Sequence, residues 1–392
     1  MTTMAAAQLR VRTPALMSIA FRPFFILAAL FAAIGVPLWL HVRAGDLTYA
    51  GHLAGSLWHG HEMIFGFAVA VFTGFLLTAA QNWTGRTTAR GLPLGLLALL
   101  WIAARVLLLL PDEAMIWPAI VVDSLVLPAV ALLLLRPILL ARNKRNVLFP
   151  VGLLVLGGIN LSVHLAALGL VPWDASRLLW LALDLMALMI VIMGGRVIPF
   201  FSRNVLPHAG IATWNAADLA AIAATAAIIP VDLFLGEGPA LGFVALAAGI
   251  ANIVRILPWR GWVTWRQPIL VILHVGYLWL PVAFLLRGAG AFEWLPMDAA
   301  VHALGTGAIG TLTIGMMSRV ALGHSGRPIV AAPLTAVAYA LVVLAGALRV
   351  ATVFDGETIL HLSAACWILG WVCFLIVYAP ICAKARADGR PA

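Results

Sequence analysis

The chain is built from long apolar runs that are separated by short polar segments. The runs are continuous and rich in leucine and alanine, without a regular alternation of polar and apolar positions. A helix needs about 20 apolar residues to cross a bilayer, and lipid offers no hydrogen bonds to an unpaired backbone. Because the strands of a membrane barrel would alternate, the pattern predicts transmembrane helices.

The apolar runs predict an all-α, polytopic integral membrane bundle of about twelve helices, in a single transmembrane domain that covers residues 1–392. We place the helices at residues 16–42, 56–80, 91–110, 114–136, 147–170, 176–200, 214–235, 239–257, 266–288, 298–322, 330–351 and 358–382. The segments between them are short and rich in proline, glycine and tryptophan. The first run is longer than a signal-peptide core and lacks an evident cleavage pattern, so we expect it to be retained as a helix.

The charged residues predict that both termini lie in the cytoplasm. Cytoplasmic loops of membrane proteins carry an excess of lysine and arginine. With a cytoplasmic N-terminus, all but five of the 24 basic residues fall in inner segments or at inner helix ends. The exceptions are Arg43, Arg105, Arg177, Arg287 and Arg349. Most acidic residues fall on the outer side, so both signs of charge support this orientation.

The composition agrees with a membrane protein, and the charge pattern and missing motifs argue against several other classes of protein. Hydrophobic residues make up 64% of the chain and charged residues 10%, whereas a soluble domain is about 25% charged. The net charge of +9 would suit nucleic acid, but no basic stripe with interleaved aromatics is present, so we expect no nucleic-acid partner. The sequence contains no Walker A motif, dinucleotide fingerprint or C-x-x-C-H motif, which argues against an ATPase, a dinucleotide enzyme and c-type haem.

Four histidines on three predicted helices fall at one depth near the outer side. They are His59 and His61 on helix 2, His164 on helix 5 and His302 on helix 10. Helical rise places them roughly 4–9 Å below the outer edge. A lone histidine is more often an ordinary interfacial side chain, but imidazole is the commonest metal ligand, and bundles build metal sites from facing helices. The shared layer therefore favours metal binding.

The spacing within helix 2 separates its histidines. His59, Glu62 and Met63 are expected to share one face, while His61 points about 200° away from His59. One helix therefore supplies two sites, or one metal site and a residue that orients a ligand.

Small residues follow two of these histidines along their helices, and two interpretations of them stay open. Below His59, the same face continues as Gly66, Ala70 and Gly74. Below His302, the face continues as Thr306, Gly310 and the larger Ile314, with Gly305, Gly307 and Gly315 nearby. Small residues at this spacing allow helices to pack closely. They also leave a slot for a flat macrocycle, above which a histidine suits an axial haem ligand.

Other polar residues inside the predicted helices allow alternative roles. His274 lies deeper in helix 9, as a further metal ligand or as a hydrogen-bonded structural residue. Asp123 and Asp184 lie near mid-span, with Arg105 within reach of either. They form buried ion pairs or a proton relay, or Arg105 binds a haem propionate.

Two basic, glycine-containing segments close helices on the inner side. Arg196 belongs to the end of helix 6, and Arg319 to the end of helix 10. They are topology anchors, or they bind an anionic group such as a haem carboxylate.

Five segments of the chain carry a resemblance to a known family. They are Phe21-Arg22-Pro23-Phe24-Phe25, the run from Trp58 to Met63, Asn82-Trp83-Thr84-Gly85, the run from Gly194 to Phe201, and the stretch from His302 to Arg327. Together they resemble the NnrS family. The resemblance implies a multi-pass protein of the bacterial inner membrane that contains haem and copper and acts in the response to nitric oxide and in denitrification.

The resemblance and the histidine layer together give a ligand hypothesis. His59 and His302 are expected to bind haem b, His61 and His164 to bind copper, and His274 to be a further candidate ligand. Glu62 would orient a ligand or donate a proton. If the site turns over, we expect reduction of nitric oxide, with electrons from a quinol or a periplasmic donor.

Two other functions stay open at the level of sequence. Twelve helices with Asp123 and Asp184 would suit a proton-coupled secondary transporter of a metal or a small anion, although we find no inverted repeat and no matching pair of broken helices. The same histidines would also serve a haem- or metal-handling protein without turnover.

Overall fold

Twelve long helices form the part of the chain that the structure describes. The computed structural model describes residues 14–47, 51–53, 55–110, 112–354 and 356–389, and these ranges contain no strand. The first six helices are α1 (Phe21–Ala44), α2 (Gly55–Thr84), α3 (Leu92–Leu107), α4 (Ile116–Leu140), α5 (Leu148–Ala167) and α6 (Ala175–Val205). The others are α7 (Asn215–Leu235), α8 (Pro239–Ile256), α9 (Pro268–Ala291), α10 (Asp298–His324), α11 (Pro333–Ala351) and α12 (Glu357–Ala383).

The prediction of an all-α membrane bundle is confirmed. Eleven of the helices are long and apolar enough to cross a membrane, and α3, with 16 residues, is a shorter apolar helix. The predicted boundaries agree to within a few residues. The largest differences include α6, which was expected to end at residue 200 but continues through Pro199 to Val205. Membrane bundles accommodate proline inside helices because neighbouring groups satisfy the freed backbone atoms.

Local sequence signals fix several helix ends. The side chain of Asp174 accepts a hydrogen bond of 2.8 Å from the backbone N–H of Arg177 and caps the start of α6, as N-cap aspartates do. Proline occupies the first position of α8, α9 and α11, where its missing N–H costs no hydrogen bond. Gly85 ends α2 in the left-handed conformation, with φ of 65°, which glycine adopts without strain.

The helices form a closed ring of three groups of four, α1–α4, α5–α8 and α9–α12. In each group, the fourth helix packs extensively against the third helix of its own group and the first helix of the next. The packing of α12 against α1 closes the ring. The second helices, α2, α6 and α10, contact one another and so lie on the inside. Hydropathy gives no sign of this arrangement.

Two of the three inner helices contain a π-helical segment. The segments are Glu62–Ala68 in α2 and Ala303–Gly310 in α10, and each begins directly after a histidine, His61 or His302. A π-segment has a wider turn than an α-helix and is frequent at functional sites. The third inner helix, α6, is α-helical throughout its described length and carries no histidine.

The sequences of α2 and α10 share a spacing that follows these histidines. In both, glycine stands at the fifth, thirteenth and 24th position after the histidine. These residues are Gly66, Gly74 and Gly85 after His61, and Gly307, Gly315 and Gly326 after His302. The shared spacing and the shared π-segment indicate that α2 and α10 are equivalent helices of two repeated groups.

Two names describe the ends of the bundle. The end where α1 begins and α12 ends is called the terminal face. The end where α2 and α10 begin is called the histidine face, because His59, His61, His164 and His302 all lie near it.

Candidate metal and cofactor sites

Helix α2 presents its two histidines to different neighbours. His59 borders a cavity together with His302 of α10. His61 instead faces α4 and α5, where it approaches Asp123 and His164. This separation agrees with the expectation that the two rings point to different sides of the helix.

The cavity that His59 and His302 border is here called the histidine cavity. It has about 820 Å³ of space not occupied by protein atoms, which includes open space at its mouth. Its walls come from α1, α2, α6, α10, α11 and α12. Most of the lining is apolar, with Met63, Phe67 and Trp367 among the large side chains. Arg349 of α11 contributes a cationic group. An apolar chamber with two imidazoles and one guanidinium suits a flat apolar molecule that carries acidic groups.

His59 is held in place but keeps one nitrogen free. Its ring stacks on Trp39 at a centroid distance of 4.2 Å and an interplanar angle of 22°. Its Nδ1 is buried and has no hydrogen-bond partner among the described residues. Buried polar atoms normally have a partner, so this nitrogen indicates a missing ligand or a bound water.

The small residues of α10 divide between the two interpretations that the sequence left open. A side chain at Gly307 would lie 2.6 Å from the ring of Trp279, and one at Gly310 would lie 2.6 Å from the ring of Trp367. These two glycines therefore serve close packing. Gly305, which lines the histidine cavity, has no atom within 4 Å of the position a Cβ would take. Of these three glycines, Gly305 is therefore the one open to a ligand.

The second site, here called the buried polar cluster, centres on His61, Asp123 and His164. Asp123 Oδ2 lies 3.4 Å from His61 Nε2 and 3.0 Å from His164 Nε2. The candidate ligand atoms of the three residues all lie within 4.8 Å of one another. All three side chains are fully buried. Two imidazoles and a carboxylate at this spacing form a candidate metal site.

Charged and amide groups surround this cluster. Arg105 donates to Glu62 Oε1 at 2.5 Å and also forms an ion pair with Asp123. Asn160 Nδ2 donates to Asp123 Oδ2 at 2.6 Å. The cluster therefore contains two carboxylates and one guanidinium, so a cation at its centre would improve the charge balance.

The hydrogen bonds of His61 leave room for such a cation. Its Nδ1 lies 3.0 Å from Glu62 Oε1, and its Nε2 lies 2.8 Å from Asn160 Oδ1. Both neighbours are acceptors, because Asn160 uses its N–H to donate to Asp123. A neutral imidazole has one N–H, so a proton or a metal ion at Nε2 is needed to complete the arrangement.

His52 adds a third imidazole that sequence reasoning missed. It lies in the segment between α1 and α2, with its Nε2 2.9 Å from His164 Nδ1. Burial, followed by the nearby His164 and His61, lowers the pKa of His52 to about 4, so this ring is neutral at physiological pH. A neutral ring can accept the Nδ1 proton of His164 while His164 Nε2 binds a metal. The only sequence signal was its closeness to the start of α2.

Two expectations about side-chain placement differ from the structure. Glu62 was expected on the face of His59, but it bonds to His61 and Arg105 instead. The π-segment begins at Glu62, so the α-helical spacing that grouped these residues does not apply there. Arg105 was considered for a haem propionate, but it belongs to the buried polar cluster, and Arg349 lines the histidine cavity.

Three other candidate residues lie toward the terminal face. His274 Nε2 and Ser202 Oγ form a hydrogen bond of 3.0 Å, which supports the structural interpretation of this histidine. Arg196 donates to Asn146 Oδ1 at 3.1 Å. Arg319 is buried with its guanidinium 3.9 Å from the ring centroid of Phe201. None of these contacts joins them to the four histidines of the histidine face.

Asp184 belongs to a separate cluster of charged residues that lie on α6, α7 and α9. Arg287 pairs with Asp184 and also with Asp232, whose Oδ2 lies 2.8 Å from Arg287 Nη2. Asp184 therefore pairs with Arg287 and not with Arg105. The buried ion-pair interpretation of Asp184 agrees with these contacts.

Comparison with known proteins gives one family. The family model described as NnrS protein matches residues 15–386, nearly the whole chain. No curated protein matches the sequence.

Proposed function

The chain belongs to the NnrS family, and on this premise we propose that it is a haem- and copper-binding protein of the bacterial inner membrane that acts in the response to nitric oxide. One observation carries the proposal. Within three residues of α2, His59 enters an apolar cavity with His302, while His61 enters a polar cluster with His164 and Asp123. A large cofactor and a small cation require these two different environments.

The histidine cavity fits haem b. His59 and His302 would hold the haem, and the unpartnered Nδ1 of His59 agrees with this role. Trp39 fixes the ring plane of His59 by stacking. Arg349 would pair with a haem carboxylate, because a guanidinium binds carboxylates through charge-assisted hydrogen bonds.

The buried polar cluster fits copper. His61, His164 and Asp123 would be its ligands, since imidazole suits copper and the carboxylate offsets its charge. Glu62 accepts from His61 Nδ1, and His52 lies against His164 Nδ1. Such partners fix the orientation and raise the basicity of a ligating imidazole.

The chemistry follows from this division of roles. When bound, haem and copper would supply one-electron redox chemistry and a binding position for nitric oxide. Glu62 touches His61 and Arg105, so it would orient His61, while its pairing with Arg105 opposes the role of proton donor. The reaction in question is the reduction of nitric oxide, with electrons from a quinol or a periplasmic donor. His274, Arg196 and Arg319 take no part in either site.

The proposed orientation puts the terminal face in the cytoplasm. Arg86, Arg136, Arg142 and Arg203 are among the basic residues at this face, and an excess of such residues favours the cytoplasmic side. The two candidate sites then lie in the outer half of the membrane, near a periplasmic electron donor.

The transporter alternative receives less support. Asp123 pairs with Arg105, and Asp184 pairs with Arg287. Proton coupling requires a carboxyl group that gains and loses a proton during transport, and a fixed guanidinium partner opposes that change.

Metal and optical analysis of purified protein tests the proposal. We expect stoichiometric haem and copper in the wild type, loss of haem with retained copper in His59→Ala and His302→Ala, and the reverse in His61→Ala and His164→Ala. His361→Ala is the matched control, because His361 is exposed on the histidine face and bonds only to the start of its own helix. A wild type without haem, or four variants with unchanged metal content, contradicts the proposal.

Turnover is tested separately from binding. Steady consumption of nitric oxide by the purified protein with a chemical reductant supports a reductase. Binding of nitric oxide without steady consumption supports haem or metal handling without turnover.

A further inference from the structure

A second cavity, here called the axial cavity, lies among the three inner helices toward the terminal face. It has about 690 Å³ of space not occupied by protein atoms, which includes open space at its mouth. Helices α2, α6 and α10 provide nearly all of its walls, and α1 and α5 contribute one phenylalanine each, Phe25 and Phe149. The candidate metal and cofactor sites use none of its lining residues.

The axial cavity offers no polar group to a ligand. Its walls are phenylalanine, methionine, leucine, isoleucine, valine and glycine, together with Thr313, and no polar atom of the lining is accessible. The hydroxyl of Thr313 donates to the backbone oxygen of Gly310 at 2.9 Å. Apolar cavities bind small apolar molecules. A quinone headgroup, an ion or a peptide would lose its hydrogen bonds to water without replacement.

The axial cavity follows the histidine cavity along the same helices. On α2, Phe67 lines the histidine cavity and Val71 lines the axial cavity, about 6 Å further by helical rise. On α10, Ile309 lines the histidine cavity and Leu312 lines the axial cavity, about 4.5 Å further by helical rise. Helix α6 lines both cavities as well, through Leu183 and Ile190. Only about one helical turn separates the two spaces.

We propose that the axial cavity binds small, uncharged, apolar molecules of diatomic size and stores them next to the histidine cavity. The chemistry of the walls selects for lack of charge and of hydrogen-bonding groups, and the adjacency gives a stored molecule a short path to His59 and His302. That the stored molecule is nitric oxide rests on the proposed function. The binding itself does not depend on any cofactor.

Xenon is the test ligand, because it is uncharged, apolar and of suitable size. We expect crystals of the purified full chain, pressurised with xenon, to show a xenon site bordered by Val71, Ile190 and Leu312. Ile190→Trp and Met193→Trp each place a larger side chain on the α6 wall of the cavity, so both should lose or weaken this site. Two variants at different positions guard against the failure of either to fold.

Ile250→Trp is the matched control. Ile250 is 58% exposed on the outer surface of α8, so the same type of substitution there leaves the cavity open. The control should keep the xenon site.

Three results would overturn the proposal. They are a wild type without xenon in the axial cavity, a xenon site that both filled variants retain, and a lipid or quinone that copurifies and occupies the cavity. Xenon binding needs neither haem nor copper. A chain that binds xenon but no haem would therefore refute the proposed function and leave this inference intact.

The link to the histidine cavity has its own measurement. In haem-containing protein, stopped-flow absorption gives the rate of nitric oxide binding. We expect a slower rate in Ile190→Trp and an unchanged rate in Ile250→Trp. Equal rates in both would show that the axial cavity does not supply the histidine cavity.

Discussion

His59 and His61 are two residues apart on one helix, yet they lie in environments of opposite kinds. His59 stacks on an indole ring, borders open space and keeps one buried nitrogen without a partner. His61 has an acceptor at each nitrogen and lies within a network of two carboxylates and a guanidinium. The first region has open space beside its histidine, whereas the second is held together by hydrogen bonds and ion pairs between its own side chains. Substitutions should therefore affect ligand binding in the first region, and folding as well as metal binding in the second.

The largest effect is expected for Asp123→Ala in the buried polar cluster. The change removes one of the two carboxylates that offset Arg105, and removal of one partner of a buried ion pair costs roughly 3–5 kcal/mol. Chemical denaturation of the purified protein in detergent measures this loss. His302→Ala, at the open cavity, should change the free energy of unfolding of the cofactor-free protein far less. Equal losses in both variants would contradict the comparison.

A charge change in the histidine cavity should act on binding alone. Arg349→Gln removes the guanidinium that would meet a haem carboxylate, and a hydrogen bond to a charged group is worth about 1.5–3 kcal/mol. Haem should therefore dissociate more readily, as measured by its transfer to apomyoglobin, while copper content stays at the wild-type level. A parallel loss of copper would show that the two regions are not independent.

Two glycine substitutions compare the regions directly. In Gly66→Ala, the new methyl group would lie 2.8 Å from the ring of Phe31 and 3.1 Å from a Glu62 oxygen, and overpacking costs about 1–3 kcal/mol. Gly305→Ala adds the same group where no atom lies within 4 Å. The midpoint temperature of thermal unfolding should be lower in Gly66→Ala and unchanged in Gly305→Ala. The reverse order would refute the assignment of packed and open surfaces.

The smallest effect is expected for Trp39→Leu. The change removes the ring that stacks on His59, and a stacked aromatic pair contributes about 0.5–1.5 kcal/mol beyond its buried area. The haem absorption spectrum should broaden or shift because His59 gains rotational freedom. Trp294→Leu is the control, since Trp294 is 68% exposed. An identical spectral change in the control would show that Trp39 has no specific role in positioning His59.

The helices could be predicted because a segment that crosses the bilayer needs a long apolar run and must form its backbone hydrogen bonds within itself. The opposite directions of His59 and His61 could also be predicted, since about 100° separates successive residues of a helix. The placement of Glu62 could not. Its partners depend on a π-segment, and a single sequence carries no local signal for the wider turn.

The partners from other helices were outside the reach of the sequence. Arg349 reaches the histidine cavity because α11 packs against α10. His52 reaches His164 because its stretch of described residues, 51–53, lies beside α5. Both facts follow from the order of helices around the ring. Hydropathy and charge alternation give the direction of each helix but not its neighbours, so Arg105 was a reasonable but unsupported choice for the haem carboxylate.

The closed ring also sets the order of events during biosynthesis. The ribosome releases α1 first and α12 last, yet these two helices pack against each other. The wall of the histidine cavity combines α1 and α2 with α10, α11 and α12, so it does not exist while the chain is growing. The residues of the buried polar cluster, which lie on α2–α5, emerge within the first half. Under the proposed function, copper could therefore bind to a nascent chain, whereas haem would have to be delivered to a finished one.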